Sequence, residues 1–250
     1  MQDGIRVLLV GAAGRMGQAI SRAAETRSDI DLVARCGRGD SIEQSIEICD
    51  VVVDVSTADA AEEICAACVA HSKPLVTGAT GHSPEQKGAI QRAAKAIPIV
   101  LAPNFSVGVN TLFWLTRRAA ELLGDDFDVE IVEAHHRLKK DAPSGTAKRL
   151  AELVCDARAL HYDKNVVHGR HGRVVDRPSD QVGIHAIRGG DGVGEHTVIF
   201  AGAGERLELT HRASSRNTFA IGALRAARWI TGRSPLLYTM EDVLELNSVR

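Results

Sequence analysis

Arg6-Val7-Leu8-Leu9-Val10-Gly11-Ala12-Ala13-Gly14-Arg15-Met16-Gly17 is the stretch from which the fold can be read. Its continuous apolar run predicts a buried strand over residues 6–11, and the segment after it predicts a helix over 14–26. A second apolar run predicts a strand over 31–36, completing a β-α-β unit. Glycines at such a junction permit a tight turn and let a pyrophosphate approach the helix N-terminus, where free N–H groups and the helix dipole favour an anion. The spacing is G-x-x-G-x-x-G, with Ala13 where the commoner G-x-G-x-x-G has its second glycine. Gly11, Ala12, Ala13, Gly14, Arg15 and Met16 are therefore candidate dinucleotide contacts.

The alternation continues outward from this unit. Strands are expected over 50–56, 74–80 and 98–104, with helices over 58–71 and 84–96, which describes a Rossmann-like, doubly wound parallel sheet in an α/β protein. Such sheets bind ligands at the carboxyl ends of their strands. Gly78, Ala79 and Thr80, and Ala102, Pro103, Asn104 and Phe105, fall at two of those ends and could line a nicotinamide pocket. After residue 107 the rhythm changes. A long helix over 109–123 precedes a strand over 127–134, and strands over 182–188, 196–201 and 206–212 follow as an antiparallel set. Strands following a β-α series suggest a second, α+β domain with a mixed or antiparallel sheet. Closing helices over 218–231 and 240–246 could return to the first domain. The expected division is a dinucleotide-binding domain of residues 1–105 and 217–250 and a substrate-binding domain of 106–216, within which the polar stretch 161–181 reads as a mobile excursion.

Electrostatics and thiol usage narrow the function classes. Thirty basic against thirty-two acidic residues give a formal charge of −2, which indicates neither nucleic acid nor an anionic membrane as partner and leaves a small molecule. The apolar segment near the N-terminus is too short for a signal-peptide core or a bilayer span, so a cytoplasmic setting is expected. Five cysteines make no even framework, and reduced thiols are expected. Cys65 and Cys68 lie within an alanine-rich helical stretch and read as small helix residues in preference to a zinc or redox pair. His161, His168, His171, His185, His196 and His211 show no metal-ligand spacing, so no metal is expected.

One short run concentrates chemistry: Glu133-Ala-His135-His136-Arg-Leu-Lys139-Lys-Asp-Ala-Pro-Ser144-Gly145-Thr146. Two adjacent histidines can move protons near neutral pH, Lys139 adds a fixed charge, and Ser144, Gly145 and Thr146 offer N–H and hydroxyl groups at a helix start. A small dicarboxylate would suit such a set, although a solvated basic loop and helix cap is the bland alternative. Gly189-Gly190-Asp191-Gly192-Val193-Gly194 joins two strands and opens no helix, so it reads as a turn with flexible flanks and not as a phosphate loop.

Taken together, these motifs resemble the 4-hydroxy-tetrahydrodipicolinate reductase family, also called dihydrodipicolinate reductases. The Glu133 to Thr146 run carries most of the likeness, with support in the right order from Gly11 to Gly17, Ala102 to Asn110, Val193 to Thr197 and His211 to Arg216. The resemblance implies NAD(P)H-dependent reduction in lysine and diaminopimelate synthesis. It also implies a homotetramer assembled through the second domain's sheet. His135 is implied as proton donor, Lys139 as a second catalytic group, and His136, Gly145 and Thr146 as substrate contacts. Two positions depart from the family pattern: Gly37 stands where an acid is usual at the end of the second strand, and Ala79 replaces the commoner threonine. With Arg38 next in sequence, NADPH is expected to serve at least as well as NADH. A reductase for another dicarboxylate, such as an aspartate dehydrogenase, would explain the glycine turn but not the histidine-lysine run. A dinucleotide-sensing regulator would leave that run idle.

Overall fold

The computed structural model describes residues 4–173 and 176–246. The chain divides into two compact units, one of Met1–Val107 with Arg216–Arg250 and one of Gly108–Ser215.

In the first unit β1 (Ile5–Val10), α1 (Arg15–Glu25), β2 (Ile30–Cys36), β3 (Val51–Asp54), α2 (Ala61–Ala70), β4 (Leu75–Thr77), α3 (Pro84–Ala93) and β5 (Pro98–Leu101) alternate along the chain. The six-stranded sheet, completed by β11 (Leu236–Tyr238), has the order β11-β5-β4-β3-β1-β2, and every pairing in it is parallel. Successive side chains of β1 explain its unbroken apolar run. Val7 and Leu9 enter one core with Ile20 of α1, while Leu8 and Val10 enter another with Ile64, Cys65 and Cys68 of α2. A strand buried on both faces cannot alternate with polar residues. The strands are shorter than their apolar runs suggest. β3, β4 and β5 stop at Asp54, Thr77 and Leu101, which frees the residues that follow as loops at the carboxyl edge.

The C-terminal segment supplies α7 (Asn217–Ile230), β11 (Leu236–Tyr238) and α8 (Met240–Val243). β11 has no counterpart in the sequence reading. Three residues after a proline carry too little periodicity to be recognised, and only pairing with β5 defines them as a strand. The expected helix over 240–246 ends early at Val243, and Glu245 adopts a left-handed φ of 56°.

The second unit contains α4 (Val107–Leu123), β6 (Asp128–His135), α5 (Gly145–Ala157), α6 (Tyr162–Asn165), β7 (Val166–His168), β8 (Val182–Arg188), β9 (Gly194–Gly202) and β10 (Glu205–Ala213). The sheet order is β10-β9-β6-β8-β7. Its core joins Val129, Ile131, Ile184, Val198 and Phe200 of the sheet to Leu150, Ala151 and Val154 of α5. One expectation is corrected here. β8 runs parallel to β6 and β7, while only β9 and β10 continue antiparallel. The long connection from β6 through α5 is a crossover, and a crossover returns the chain to the same end of the sheet.

The polar stretch 161–181 is also more structured than expected. It contains α6 and β7, and Arg170 and Arg177 both bind the Glu130 carboxylate, at 2.8 and 3.0 Å, with His185 at 2.7 Å. Despite partial burial, these partners hold the Glu130 carboxyl down to about 2. Val174 and Val175 lie outside the described residues. Among the described residues, no helix is long and apolar enough to cross a membrane.

Candidate active site

Two sets of the residues singled out in the sequence occupy carboxyl-end loops, one set in each unit. In the first unit the turn after β1 is tied to β2 by backbone bonds from Gly11 and Ala12 to the Cys36 carbonyl, at 2.9 and 3.1 Å, and closes with Gly14 N–H on Gly11 O at 3.1 Å. Gly11 has φ of 80°, and a Cβ there would sit 2.8 Å from the Ser56 and Val55 backbone, so only glycine fits. Gly14 caps α1 without a capping side chain, which leaves the first-turn N–H groups available to an anion. Gly11, Ala13, Gly14, Arg38, Asp40 and Ser56 are among the residues lining a cavity of about 500 Å³. Arg15 is exposed beside it, and Met16 packs against the core.

The wall of this cavity holds a residue that the sequence reading passed over. Asp40 accepts a 2.8 Å bond from Gly37 N–H, so a carboxylate stands three residues beyond the position where an acid was sought. Its displacement from the usual place hid it. Asp54, at the end of β3, is likewise unpredicted: it is buried and accepts from Ser56 N, Ser56 Oγ and Thr77 Oγ1, thereby fixing the loops after β3 and β4. Thr80 is exposed and Ala79 buried. Ala102 and Phe105 are both part of the apolar core, so within their loop only Pro103 and the half-buried Asn104 offer surface.

In the second unit β6 alternates inward and outward, which puts Glu133 and His135 on the face covered by α5. Glu133 is completely buried, and its carboxylate joins its own strand to two other segments. Oε2 accepts from His135 Nδ1 at 2.6 Å, Oε1 accepts from Ser144 N–H at 3.0 Å, and Arg188 from β8 donates to both oxygens at 2.7 Å. Burial opposes its charge, but these donors keep the Glu133 carboxyl below the usual carboxylate range. Ser144 caps α5 through Ala147 N–H and meets His196 Nε2 at 3.1 Å through its hydroxyl. The His196 ring stands edge-on to His135, with centroids 5.1 Å apart, and burial pushes its pKa down to about 4. Desolvation also pulls His135 below its ordinary value, against the opposing pull of Glu133.

The remaining members of the run are placed as follows. Lys139 pairs with Asp141 at 2.9 Å and lies near enough to oppose a proton on His135. His136 N–H donates to Gly192 O at 2.9 Å, and its buried Nδ1 has no partner among the described residues. Gly145 is exposed at the first turn of α5, with half-buried Thr146 beside it. The glycine run after β8 is more than a flexible turn. Gly190 O and Gly192 O hold the histidine loop, and a Cβ on Gly194 would come within 2.8 Å of His135 Nε2. Arg188 has no local motif, and His196 stands within Val193 to Thr197 with no role legible there; only strand pairing brings the two to Glu133.

Two family profiles match the chain. The one described as dihydrodipicolinate reductase, N-terminus, covers residues 5–105, and the one described as dihydrodipicolinate reductase, C-terminus, covers residues 108–244. The chain belongs to the dihydrodipicolinate reductase family. It is 52% identical to the 4-hydroxy-tetrahydrodipicolinate reductase of Akkermansia muciniphila, over 98% of this chain and all of that protein. With the enzyme of the same name from Syntrophotalea carbinolica it shares 45% identity over 97% of this chain and 99% of the other. The dipicolinate-bound dihydrodipicolinate reductase of Paenisporosarcina sp. TG-14 superposes with a TM-score of 0.80 at 25% identity, covering 96% of this chain and 99% of that structure. A probable dehydrogenase of Thermotoga maritima, 13% identical with a TM-score of 0.63 and covering 96% of this chain and 92% of that structure, shares the fold. The two profiles thus cover both halves of the chain, the residues of the glycine turn falling in one and those of the histidine-lysine run in the other.

Proposed function

We propose that His135 is the proton donor of this reductase, that Lys139 supports it, and that Gly145, Thr146 and His136 hold a dicarboxylate substrate. Ser144, expected from the sequence to offer its N–H and hydroxyl, is buried with both already engaged and instead fixes the start of α5. The protein is an oxidoreductase. It catalyses the NAD(P)H-dependent reduction of 4-hydroxy-tetrahydrodipicolinate to tetrahydrodipicolinate in lysine and diaminopimelate biosynthesis. A dinucleotide fits the first unit on structural grounds, since the uncapped α1 N-terminus and the side-chain-free Gly11 form a cradle beside a cavity of sufficient size. Gly11 to Met16 would hold its phosphates, while Gly78 to Thr80 and Ala102 to Phe105 would border the nicotinamide. When bound, the reduced nicotinamide supplies a hydride.

The chain's own residues supply the rest. Loss of water from the cyclic alcohol gives a conjugated imine, and hydride addition to that imine leaves an electron-rich ring that needs a proton, which an imidazolium can deliver near neutral pH. The observation that carries this reading is the state of His135: Nδ1 is engaged by buried Glu133, and Nε2 has no hydrogen-bond partner among the described residues. Lys139 and the α5 N-terminus at Gly145 and Thr146 supply cationic and N–H donors for two carboxylates. NADPH is the favoured cofactor and NADH a usable one, because Arg38 is exposed on the cavity wall while Asp40 is engaged by Gly37 N–H.

A homotetramer is supported by the sheet face of the second unit opposite α5, where Ile187 is exposed and Val132 and Ile199 are half-buried. A cytoplasmic setting suits five free, buried cysteines. The test is direct: purified protein is mixed with freshly generated 4-hydroxy-tetrahydrodipicolinate and either NADPH or NADH, and cofactor oxidation is followed by absorbance. Turnover with NADPH at least equal to that with NADH is expected. A strong preference for NADH would overturn the cofactor assignment.

A further inference from the structure

We propose that Glu133 is the positioning residue that makes His135 a usable proton donor, fixing which ring nitrogen delivers the proton, and that Arg188 is its counterweight. Glu133's role rests on the reading of His135 as the donor. A carboxylate offers about four acceptor positions, and here four donor contacts occupy them: Ser144 N–H, two Arg188 N–H groups and His135 Nδ1. No capacity remains for substrate, so the carboxylate acts through the ring.

The tautomer follows from the same geometry. An ionised carboxylate can only accept, so the 2.6 Å contact requires the hydrogen on Nδ1. Nε2 is then the nitrogen that takes up and releases the working proton. Gly194 lies against it without a side chain, where a Cβ would intrude to 2.8 Å.

The charged groups around the ring come from every neighbouring element. Lys139 in the following loop, itself paired with Asp141, and Arg188 on β8 both oppose a second proton, as does burial. His196 on β9 faces the ring edge and is in turn influenced by His211 on β10. Of these groups, Glu133 favours the charged ring. Arg188 in turn stabilises Glu133 as an anion, so that the carboxylate does not take the proton for itself.

The experiment uses the full-length protein labelled with 15N-histidine. Ring nitrogens are followed by NMR across pH, alongside the pH profile of kcat/KM with NADPH. In Glu133→Gln the carboxamide oxygen can still accept from Ser144, but its NH2 group faces Nδ1 and cannot accept from it. The neutral ring should switch to the Nε2–H tautomer, the basic limb should move to lower pH, and kcat should fall by on the order of 10²-fold or more, with KM changing less. Arg188→Met should move the basic limb the opposite way, to higher pH, and gives a second test should Glu133→Gln fold poorly. A merely structural role would lower activity in both variants without moving limb or tautomer, and that result would overturn the proposal. His135→Gln separates the two layers. Full turnover in it would remove His135 as donor, whereas an inactive His135→Gln combined with an unmoved tautomer in Glu133→Gln would remove Glu133's role alone.

Discussion

The glycine turn after β1 and the histidine cluster at the end of β6 prepare for charged ligands in opposite ways. The turn is made of backbone: Gly11, Gly14 and the uncapped first turn of α1 present N–H groups, and its conformation is set by consecutive residues together with the Cys36 carbonyl. The cluster is made of side chains from four places. Glu133 and His135 lie on β6, Ser144 is 11 residues beyond Glu133, Arg188 is 55 beyond it, and His196 is 52 beyond Ser144. The difference teaches that binding an invariant anion needs only local backbone geometry, whereas aiming and tuning a proton needs buried charges balanced against one another. Damage should therefore differ in kind: in the turn it should appear as lost cofactor affinity, in the cluster as lost turnover or altered pH dependence.

The largest effect is expected at the cluster. His135→Ala should lower kcat by roughly 10² to 10⁴ while leaving the NADPH dissociation constant nearly unchanged, as read by steady-state kinetics and fluorescence titration. Collapse of NADPH affinity with turnover intact would assign the histidine to the cofactor site and dissolve the contrast. On the role proposed for Lys139, Lys139→Ala removes a cation needed by substrate charge before and after hydride transfer, so KM should rise and kcat fall together, with a combined loss in kcat/KM of about 10- to 100-fold.

At the turn, Gly11→Ala forces a left-handed φ on a residue with a Cβ and drives it into the Ser56 and Val55 backbone. Urea unfolding should show a loss of about 1–3 kcal/mol, and calorimetry should show weaker NADPH binding; an unchanged pH profile in the surviving activity would keep the two regions separate. Acid stability offers a further contrast. Because burial lowers His196 from 6.5 to about 4, the unfolded chain binds this proton first on acidification. Stability should be fully present above pH 6.5 and fall as pH drops toward 4, by about 2 kcal/mol between pH 7 and pH 5 for this group. His196→Gln should flatten that part of the urea-derived profile, and an unchanged slope would mean that the ring is protonated in the folded protein. The smallest effect belongs to Arg38, which is exposed. Arg38→Ala should raise KM for NADPH by a few-fold, the scale of an exposed charge contact, and change KM for NADH less.

The two regions were not equally visible in the amino-acid sequence. Gly11 to Gly17 could be read in full, because a strand-to-helix turn is specified by neighbours and glycine marks where a side chain cannot go. His135, Lys139 and Ser144 could be named because they share one run, and Glu133 stood in that run without a role. The parallel direction of β8, the strand at 236–238 and the anchoring of the polar excursion on Glu130 had no local signature.

Apolar periodicity determined the β-α alternation, glycine spacing the phosphate-type turn, and the residue types of one run the concentration of proton-transfer groups near residue 135, while the family likeness is a resemblance that the motifs themselves carry. Only the tertiary structure decided which partners those groups keep. Arg188 reaches Glu133 because β8 pairs in parallel with β6, and His196 reaches Ser144 because β9 pairs with β6 on its other side. The physical reason is range. Backbone conformation and periodicity act over a few residues and leave their mark in sequence, while the burial and Coulomb interactions that set the state of His135 depend on distance in space.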